Sequence, residues 1–473
     1  MSVEKIRVVE LFAGVGGFRL GLDGHPNLES ESNFKTIWSN QWEPSQRVQW
    51  ASDIYVARFG ASGHSNEDIH DARKDVPNHD LLVGGFPCQD YSTARTRSGE
   101  LGIQGEKGKL WTPIKQIIRD TSRRPKAVLL ENVPRLLSSP SRQRGLNFAV
   151  ICQDLLSMGY DVEWRVINAA DYGMPQQRRR IFILAYRRAT QSNYYRNGQP
   201  NFGPLYRSRN AMTRWLTGEE LVTNSKWSPG PFATAFPLEG KLPSEKLPFP
   251  EISTFDWNPK DSPFMSSGYA WKDNHGGKWM WTFKAKPLVQ EPSTLGEIIL
   301  DDVPSTYLID EGDLPRWKYV KGARREYRIR KRDKDNVGEE LWSRYRLCMD
   351  SQSQEVWDEN REAFEAALGV NGTYRYAEGP VSFPDSLDRP SRTVVTQEIG
   401  RSPDRMRHII RTDAGEWRRL TPVELERLNM FPDDWTLVDG IPDSRRGFLM
   451  GNALVVGIIE RLRDPLSAIL EKK

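Results

Sequence analysis

The pattern of apolar and polar residues along the chain changes twice. In the first part, short apolar runs predict strands at 8–12, 35–39, 81–83, 127–130, 162–167 and 181–185. Helices are predicted between them at 44–59, where Pro44 begins the first turn, and at 147–158, which ends at Gly159. Strands that alternate with helices predict an α/β fold with a mostly parallel sheet and helices on both faces.

The middle and the end of the chain differ from this beginning. Residues 191–411 have poor periodicity and many Trp, Pro, Gly and charged residues, which predicts a separate domain of irregular structure. Regularity returns after 411, where Thr421, Pro422 and Glu424 match the start of a capped helix. A last apolar helix is predicted from Ala453, and Pro465 should break or kink it. The predicted division is therefore 1–190, 191–411 and 412–473.

Composition narrows the class of protein. A chain of 473 residues predicts two or three domains, and 38% hydrophobic residues are enough for a substantial core. No apolar run reaches the roughly 18 residues of a membrane helix, and the N-terminus lacks the core of a signal peptide, so we expect a cytoplasmic protein. Three scattered cysteines without C-x-x-C spacing predict a reducing compartment, no zinc site and no disulfide framework.

Charge is informative only locally. The net charge is +4, from 67 basic and 63 acidic residues. Residues 316–332, however, contain nine Lys or Arg and one acidic residue, with Trp317, Tyr319 and Tyr327 interleaved. This composition suits phosphate contact with base stacking, and it equally fits a solvated charged face.

The first chemical signal is the sequence Glu-Leu-Phe-Ala-Gly-Val-Gly-Gly-Phe at 10–18. Glycines at the end of a strand allow a ligand to approach the backbone, and ligands of open parallel sheets bind at this edge. The spacing is not the G-x-G-x-x-G of dinucleotide sites.

This turn closely resembles the opening motif of the C5-cytosine methyltransferase family, whose members hold S-adenosylmethionine there. The resemblance implies a Rossmann-like methyltransferase sheet with a separate target-recognition domain. It also implies a set of cofactor contacts near the N-terminus: Phe12, on which the adenine packs, Ala13, Gly14, Gly16, Gly17, Trp42, Glu43, Asp68 and Ile69. The family usually has an acidic residue before the Trp to bind the ribose, but this chain has Gln41. Either Gln41 or Glu43 would fill that role.

The nucleophile motif of the family follows the strand at 81–83. The sequence Gly-Gly-Phe-Pro-Cys-Gln at 84–89 places a thiol on a stiff turn. The resemblance makes Cys88 the nucleophile, Pro87 a cofactor contact and Gln89 a DNA contact. A thiol is required because addition of a thiolate at C6 of cytosine raises the electron density at C5, which then attacks the methyl group.

Two further motifs complete the predicted catalytic set. Glu131, in Leu-Leu-Glu-Asn-Val, would contact N3 and the 4-amino group of cytosine and help to protonate N3. The run 171–180 ends in three arginines that lead into the strand at 181–185. By resemblance Arg180 would hold the cytosine O2, and Arg178 would support the site or contact phosphate. Arg179 should point the other way.

Other expected contacts lie in loops. Residues 92–110 contain four glycines with Arg95 and Arg97, and such a loop could close over bound DNA, although a surface loop has the same composition. By resemblance Leu110 lines the cofactor pocket, and Thr393 touches the DNA backbone beside the flipped nucleotide. Asn452, in the last motif, reaches the cofactor, so the C-terminal helix would return to the first domain.

The sequence therefore predicts a DNA (cytosine-5) methyltransferase of the bacterial restriction-modification type. It would use S-adenosylmethionine on a cytosine flipped out of double-stranded DNA, without a metal, as a monomer. A cognate restriction endonuclease would share its site without needing to bind it.

Three alternatives are disfavoured. A tRNA methyltransferase of this fold would carry Cys-Phe-Thr, which is absent. An inactive DNA-binding protein would not need Cys88, Glu131 and Arg180 together. A Rossmann oxidoreductase would need G-x-G-x-x-G at the first turn.

Overall fold

The computed structural model describes residues 4–27, 32–44, 46–86, 110–120, 124–141, 143–187, 216, 230–239, 246–255, 261–273, 275–322, 324–331, 341–348 and 372–471, with the backbone alone at 324–331, 341–348 and 372–378. Within those ranges, no helix combines the length and the apolar character that a membrane span requires.

The described strands and helices follow in chain order. The strands are β1 (Ile6–Leu11), β2 (Phe34–Asn40), β3 (His64–Ser65), β4 (Leu81–Gly84), β5 (Ala127–Asn132), β6 (Tyr160–Asn168), β7 (Arg179–Arg187), β8 (Leu238–Glu239), β9 (Leu247–Pro248), β10 (Ser267–Lys272), β11 (Lys278–Phe283), β12 (Lys286–Pro287), β13 (Arg324–Lys331), β14 (Leu341–Cys348), β15 (Gly372–Glu378), β16 (Ile409–Arg411) and β17 (Trp417–Arg419). The helices are α1 (Gly17–Asp23), α2 (Trp50–Phe59), α3 (Ile69–Ala72), α4 (Trp111–Asp120), α5 (Leu146–Ser157), α6 (Pro231–Ala235), α7 (Leu314–Lys321), α8 (Pro422–Leu428), α9 (Asp443–Asn452) and α10 (Val456–Leu470).

A ten-stranded sheet in the order β3-β2-β1-β4-β5-β7-β6-β10-β11-β9 organises the chain. The strands from β3 to β5 are parallel, and the others add in antiparallel pairs. The predicted α/β class is confirmed, with the predicted parallel pairing in the part of the sheet from β3 to β5. The carboxyl ends of β1, β2, β4 and β5 consequently lie along one edge, where ligands bind in sheets of this kind.

Side chains of the central strands alternate between two hydrophobic layers. In β1, Val8 belongs to the layer that contains Ile459 of α10, whereas Val9 and Leu11 belong to the layer that contains Ile114 of α4. Strands buried on both faces in this way explain the nearly continuous apolar runs in the sequence.

The C-terminal helix α10 packs against α1. A Cβ atom at Gly21 would lie 2.6 Å from Cβ of Ile459, so the two helices approach as closely as a glycine allows. The sequence predicted that Pro465 would break or kink the last helix. Pro465 lies inside α10 and does not end it, so the first of these two alternatives is wrong. Burial of Leu462 and Leu466 beside the proline stabilises the helix despite the hydrogen bond that Pro465 cannot donate.

Part of the predicted second domain is continuous with the main sheet. Strand β10 pairs with β6, which covers an edge that would otherwise leave backbone groups unpaired. Arg165 of β6 is buried and donates to the carbonyls of Leu216, Phe232 and Phe236, which holds α6 on the same sheet. The other described strands of 191–411 form separate small sheets, β12-β8, β14-β13-β15 and β16-β17, and in the last of these β17 comes from the C-terminal segment.

The predicted helix at 44–59 begins later, at Trp50. The Gln49 side chain accepts from the N–H of Glu43 and donates to the carbonyls of Glu43 and Gln46. These bonds fix a loop in place of the first predicted turns.

Candidate active site

A cavity of about 560 Å³ opens at the carboxyl ends of the parallel strands. Its walls come from both ends of the chain. The N-terminal part includes the turn after β1, the end of β2 and the starts of the segments after β4 and β5, and the C-terminal part includes Phe431, Phe448, Asn452 and Leu454. The predicted cofactor contacts that line it are Phe12, Ala13, Gly14, Gly17, Trp42, Glu43, Asp68, Ile69, Leu110 and Asn452.

The turn after β1 has an unusual backbone. Gly14 and Gly16 have φ values of +55° and +88°, and a Cβ atom on Gly16 would lie 2.3 Å from the ring of Phe59. Phe12 also has a positive φ, +53°, which is uncommon for a residue with a side chain. Gly16 supports the turn without lining the cavity itself, and Phe12 is held in a strained conformation at the cavity wall.

Two side chains from distant segments fix this turn. The N–H of Gly14 donates to Oε1 of Gln41 over 2.7 Å, and Nε1 of Trp435 donates to the carbonyl of Val15 over 2.9 Å. Gln41 thus has a supporting role at the position where an acidic residue was expected. Glu43 lines the same cavity, and its backbone is held by Gln49.

Asp68 has two functions in the structure. Its Oδ1 accepts from the N–H of His70 over 2.8 Å and so caps α3, and the residue also lines the cavity beside Ile69. Asp68 can therefore cap α3 and still contact a ligand in the cavity.

Glu131 and Arg180 form the polar end of the cavity. Oε1 of Glu131, at the end of β5, lies 2.9 Å from Nε of Arg180, near the start of β7, and both line the cavity. Burial raises the pKa of Glu131 above its usual value, and the positive charges of Arg180 and Arg178 oppose this effect. A Cβ atom on Gly85 would lie 3.2 Å from Oε2 of Glu131, so the glycine keeps space beside the carboxylate.

Arg178 supports the site from beneath. Its side chain is 1% exposed and donates to the carbonyls of Val394 and Gly451 over 3.0 and 2.8 Å. This placement fits the expected supporting role and corrects the alternative of a phosphate contact, because the guanidinium group is enclosed. Arg179 is exposed, as predicted from alternation along the strand.

The segment 391–394 is bound to the residues that precede Arg180. The N–H of Ser391 donates to the carbonyl of Pro175, and the N–H of Gln177 donates to the carbonyl of Ser391. The hydroxyl of Thr393 donates to the carbonyl of Gln177, so this predicted DNA contact also joins the two segments.

A buried chain of side chains supports the same segment. Oγ of Ser391 lies 2.9 Å from Nε2 of His408, and Nδ1 of His408 lies 3.0 Å from a carboxylate oxygen of Glu398. All three residues are at most 3% exposed, so this arrangement has a structural role and is closed to substrate.

The predicted residues Pro87, Cys88, Gln89, Arg95 and Arg97 lie outside the described residues. The structure does describe the residue just before them: Nδ2 of Asn132 donates to the carbonyl of Phe86 over 3.2 Å.

Three supporting residues received no role from sequence reasoning: Asn132, Gln176 and Trp435. Asn132 and Gln176 stand inside motifs that were recognised, and Gln176 accepts from the N–H of Val394. Their position beside the predicted catalytic residues was the available signal. Nothing in the sequence related Trp435 to the first turn, 420 residues earlier.

This architecture is that of the Rossmann-like S-adenosylmethionine-dependent methyltransferases. The fold resembles the crystal structure of the Dnmt2 methyltransferase of S. pombe, with a TM-score of 0.51, 15% identity and coverage of 99% of both chains. The chain belongs to the family of C-5 cytosine-specific DNA methylases, whose sequence profile matches residues 6–229 and 299–468.

Individual relatives support the same assignment. The chain is 38% identical to the type II methyltransferase M.Sau3AI of Staphylococcus aureus over 99% of this chain and 97% of that protein. It is 25% identical to M.NlaIV of Neisseria lactamica over 98% and 99%, and 32% identical to M.HhaI of Haemophilus parahaemolyticus over 38% and 49%. The chain is an S-adenosylmethionine-dependent DNA (cytosine-5) methyltransferase.

Proposed function

We propose that this chain methylates a cytosine flipped out of a specific double-stranded sequence, and that the mark protects host DNA from a cognate restriction endonuclease. The observation that carries the proposal is the Glu131–Arg180 pair, which lies in one cavity with the turn 12–17. A cytosine-binding pair and a cofactor turn must share a cavity if a methyl group is to pass between them.

The cavity fits the cofactor by its chemistry. Phe12 and Ile69 offer apolar contact for an adenine ring, and Asp68 and Glu43 offer carboxylates for amino and hydroxyl groups. Because Gln41 holds the N–H of Gly14, we assign the ribose to Glu43. The bound cofactor supplies an electrophilic methyl group on a sulfonium. Its other contacts would come from Trp42, Leu110, Asn452 and Pro87.

The chain's own residues perform the remaining chemistry. The thiolate of Cys88 adds to C6 of the cytosine, and the electron pair displaced to C5 forms the new bond to the methyl carbon. A solvent base then takes the proton from C5, and the C6–S bond breaks to restore the aromatic ring and release the Cys88 thiolate. Arg180 donates to O2. Glu131 delivers a proton towards N3 as the thiolate adds, and its raised pKa supports this role because a protonated carboxyl group can donate.

Three features of the biological setting belong to the proposal. The protein acts in the bacterial cytoplasm, as a monomer, and the cognate endonuclease reads the same sequence without binding this chain. Gln89, Arg95, Arg97 and Thr393 are the proposed DNA contacts near the flipped base.

The test is methyl transfer from radiolabelled S-adenosylmethionine to unmethylated genomic DNA, with tRNA in a parallel reaction. We expect label in DNA alone, mapped to C5 by bisulfite sequencing. Cys88→Ala should abolish transfer, and Glu131→Gln should lower kcat by about 10²-fold or more. Cys152→Ala is the matched control, because that thiol is buried away from the site.

Each outcome is informative. Label in tRNA alone would establish the RNA substrate instead. Binding of DNA without methyl transfer to DNA or to tRNA would mean that the chain is a DNA-binding protein without this activity.

A further inference from the structure

Two buried side-chain amides are hydrogen-bonded to each other over a long separation in the chain. Nε2 of Gln176 donates to Oδ1 of Asn429 over 3.1 Å, although the residues are 253 positions apart, and both are fully buried. Gln176 belongs to the segment that leads to Arg180, whereas Asn429 is the C-cap of α8. This hydrogen bond, which we call the amide joint, therefore connects the segment before Arg180 with the C-terminal part of the chain.

Asn429 holds three C-terminal helices together. Its Nδ2 donates to the carbonyls of Leu425 in α8 and Met450 in α9, over 3.1 Å in each case. Its own carbonyl accepts from the N–H of Val456 at the start of α10. Residues 451–454, which directly follow Met450, line the cavity. The position of Asn429 therefore helps to set the position of this wall.

Gln176 holds the segment that carries Arg180. Its Oε1 accepts from the N–H of Val394 over 2.9 Å, and its Nε2 also donates to the carbonyl of Leu428 over 3.2 Å. Two positions further on, Arg178 donates to the carbonyl of Val394, and Arg180 then lines the cavity. Without the Gln176 amide these buried groups would lose their partners, so the amide favours a single position of the segment.

We propose that Gln176 and Asn429 are positioning residues for methyl transfer. The amide joint sets the separation between Arg180, which holds the cytosine, and the wall at 451–454, against which the cofactor binds. Neither amide is among the described residues that line the cavity, so both act through their neighbours. Methyl transfer depends steeply on the alignment of the two reacting carbons, and a buried, hydrogen-bonded support maintains such an alignment. The inference rests on the proposed function for the role of Arg180.

The main variant is Gln176→Met, which removes the amide joint with little change in side-chain volume and leaves the other hydrogen bonds of Asn429 in place. The rate of methyl transfer in a single turnover, Kd for S-adenosylhomocysteine by calorimetry, and urea unfolding would be measured. Asn147→Leu is the matched control. It also removes a buried amide, which donates to Oγ of Ser139 over 2.9 Å, and neither residue is among those described as lining the cavity.

We expect Gln176→Met to lower the rate of transfer about 10- to 100-fold, because a small displacement of Arg180 misaligns the cytosine. Its Kd for S-adenosylhomocysteine should stay at the wild-type value, since Asn429 still holds the wall. Asn147→Leu should lose stability and keep the wild-type rate. Asn429→Leu should both lower the rate and raise Kd. The double variant of Gln176 and Asn429 should be no slower than the slower single variant, because both changes remove the same joint.

Amide hydrogen exchange adds a readout that does not depend on activity. In Gln176→Met the N–H of Val394 loses its acceptor, so exchange in 391–396 should be faster than in the wild type, whereas exchange in 448–454 should be unchanged. Unchanged exchange in 391–396 would overturn the inference, because the amide would then not hold this segment.

Other outcomes would also overturn it. A wild-type rate in Gln176→Met, or an equal loss of rate in Asn147→Leu, would mean that the amide joint contributes stability alone. Multiplied effects in the double variant would mean that the two residues act independently. If Gln176→Met does not fold, Gln176→Asn is judged by the same criteria, because its amide is too short to reach both Val394 and Asn429.

The proposed function fails in a different way. Its failure would appear as absence of methyl transfer by the wild-type protein. Failure of the present inference would appear as transfer by the wild-type protein that Gln176→Met retains in full.

Discussion

Glu10 is a fully buried carboxyl group beneath the turn 12–17. It accepts from the hydroxyl of Tyr55 over 3.0 Å and from the N–H of Arg19 over 3.3 Å, and Arg19 pairs with Asp23. Burial raises the pKa of Glu10 to about 8, against partly compensating hydrogen bonds from Tyr55 and Arg19. The Glu10 carboxyl group therefore stays protonated near neutral pH. Because it loses this proton as the pH rises, we expect the stability of the region beneath the turn to depend on pH.

The first prediction concerns this proton. The folded state keeps it up to about pH 8, whereas the unfolded state releases it near 4.5, the ordinary pKa of a glutamate side chain. The contribution of Glu10 to stability is therefore complete below pH 4.5 and is lost as the pH rises towards 8. Glu10→Gln mimics the protonated group, so we expect its free energy of unfolding, relative to wild type, to improve steadily from pH 5 to about 8.

Urea unfolding of both proteins at several pH values measures this difference. Subtraction of the two curves removes the effects of other titrating groups, including His64 and His79, whose pKa values burial lowers to about 4. A constant difference across the range would show that Glu10 titrates normally.

The second prediction isolates one hydrogen bond of the turn. Trp435→Phe keeps an aromatic ring beside Phe59 and Phe431 but removes the N–H that holds the carbonyl of Val15. One such bond contributes about 1 kcal/mol, so KM for S-adenosylmethionine should rise about five-fold. Because the lost hydrogen bond is to Val15 and not to Glu131 or Arg180, kcat should change little. Steady-state kinetics with varied S-adenosylmethionine would measure both constants. A five-fold fall in kcat with unchanged KM would contradict this role of Trp435.

At the scale of elements, α9 depends on a glycine for its contact with the segment 391–396. A Cβ atom on Gly451 would lie 2.4 Å from the backbone of Val395 and Thr396, and the Gly451 carbonyl also accepts from Arg178. Contact between two backbones cannot be relieved by a change of rotamer, so one segment must move.

The third prediction is that Gly451→Ala lowers the free energy of unfolding by about 1–3 kcal/mol. It should also lower kcat, since Arg178 precedes Arg180. Gly312→Ala is the matched control, because a Cβ atom there meets nothing within 4 Å. Urea unfolding and a transfer assay would measure both effects. Similar stability for the two variants would mean that α9 and the segment tolerate separation.

The placement of Glu131 and Arg180 at one site could be predicted because local sequence determines it. Glu131 and Arg180 each stand at the end of an apolar run that forms a strand, and their motifs are specific. The capping box of Thr421 and Glu424 was likewise readable, and both of its hydrogen bonds form. Thr421 and Glu424 are three positions apart, and Glu131 and Arg180 each lie next to the strand residues that position them. In both cases the determining sequence is local.

Errors arose where distant contacts outweighed local preference. The Gln49 side chain forms hydrogen bonds with the backbone of Glu43, and α2 begins only at Trp50. The preference of Pro44 for the first turn of a helix gives no indication of these bonds. Pro465 stays inside a helix because one side of that helix is packed on the core. Strand β10 pairs with β6, which lies about 100 residues earlier in the chain. The pattern of apolar residues within 191–411 does not indicate a pairing with so distant a strand.

At the scale of the whole molecule, the cavity has walls from both ends of the chain. Phe12 and Gly17 face a wall that includes Phe431 and Leu454, and a Cβ atom on Gly17 would lie 3.1 Å from Leu454. Strands β10 and β11 lie at the side of the sheet away from β1, and none of the described residues that line the cavity belongs to them. We therefore expect ligand binding in the cavity to be independent of these strands.

The last prediction follows from that independence. A ligand in the cavity contacts both ends of the chain, so it should stabilise them together by mass action. We expect S-adenosylhomocysteine to slow amide hydrogen exchange in the turn 12–17 and also in 448–456, more than 400 residues later. The β10–β11 hairpin should be unaffected and serves as the internal control. Mass spectrometry of peptides would read all three regions. Protection confined to the N-terminal turn would mean that the C-terminal segment does not form the wall of the cofactor site, and that the chain ends are joined by packing alone.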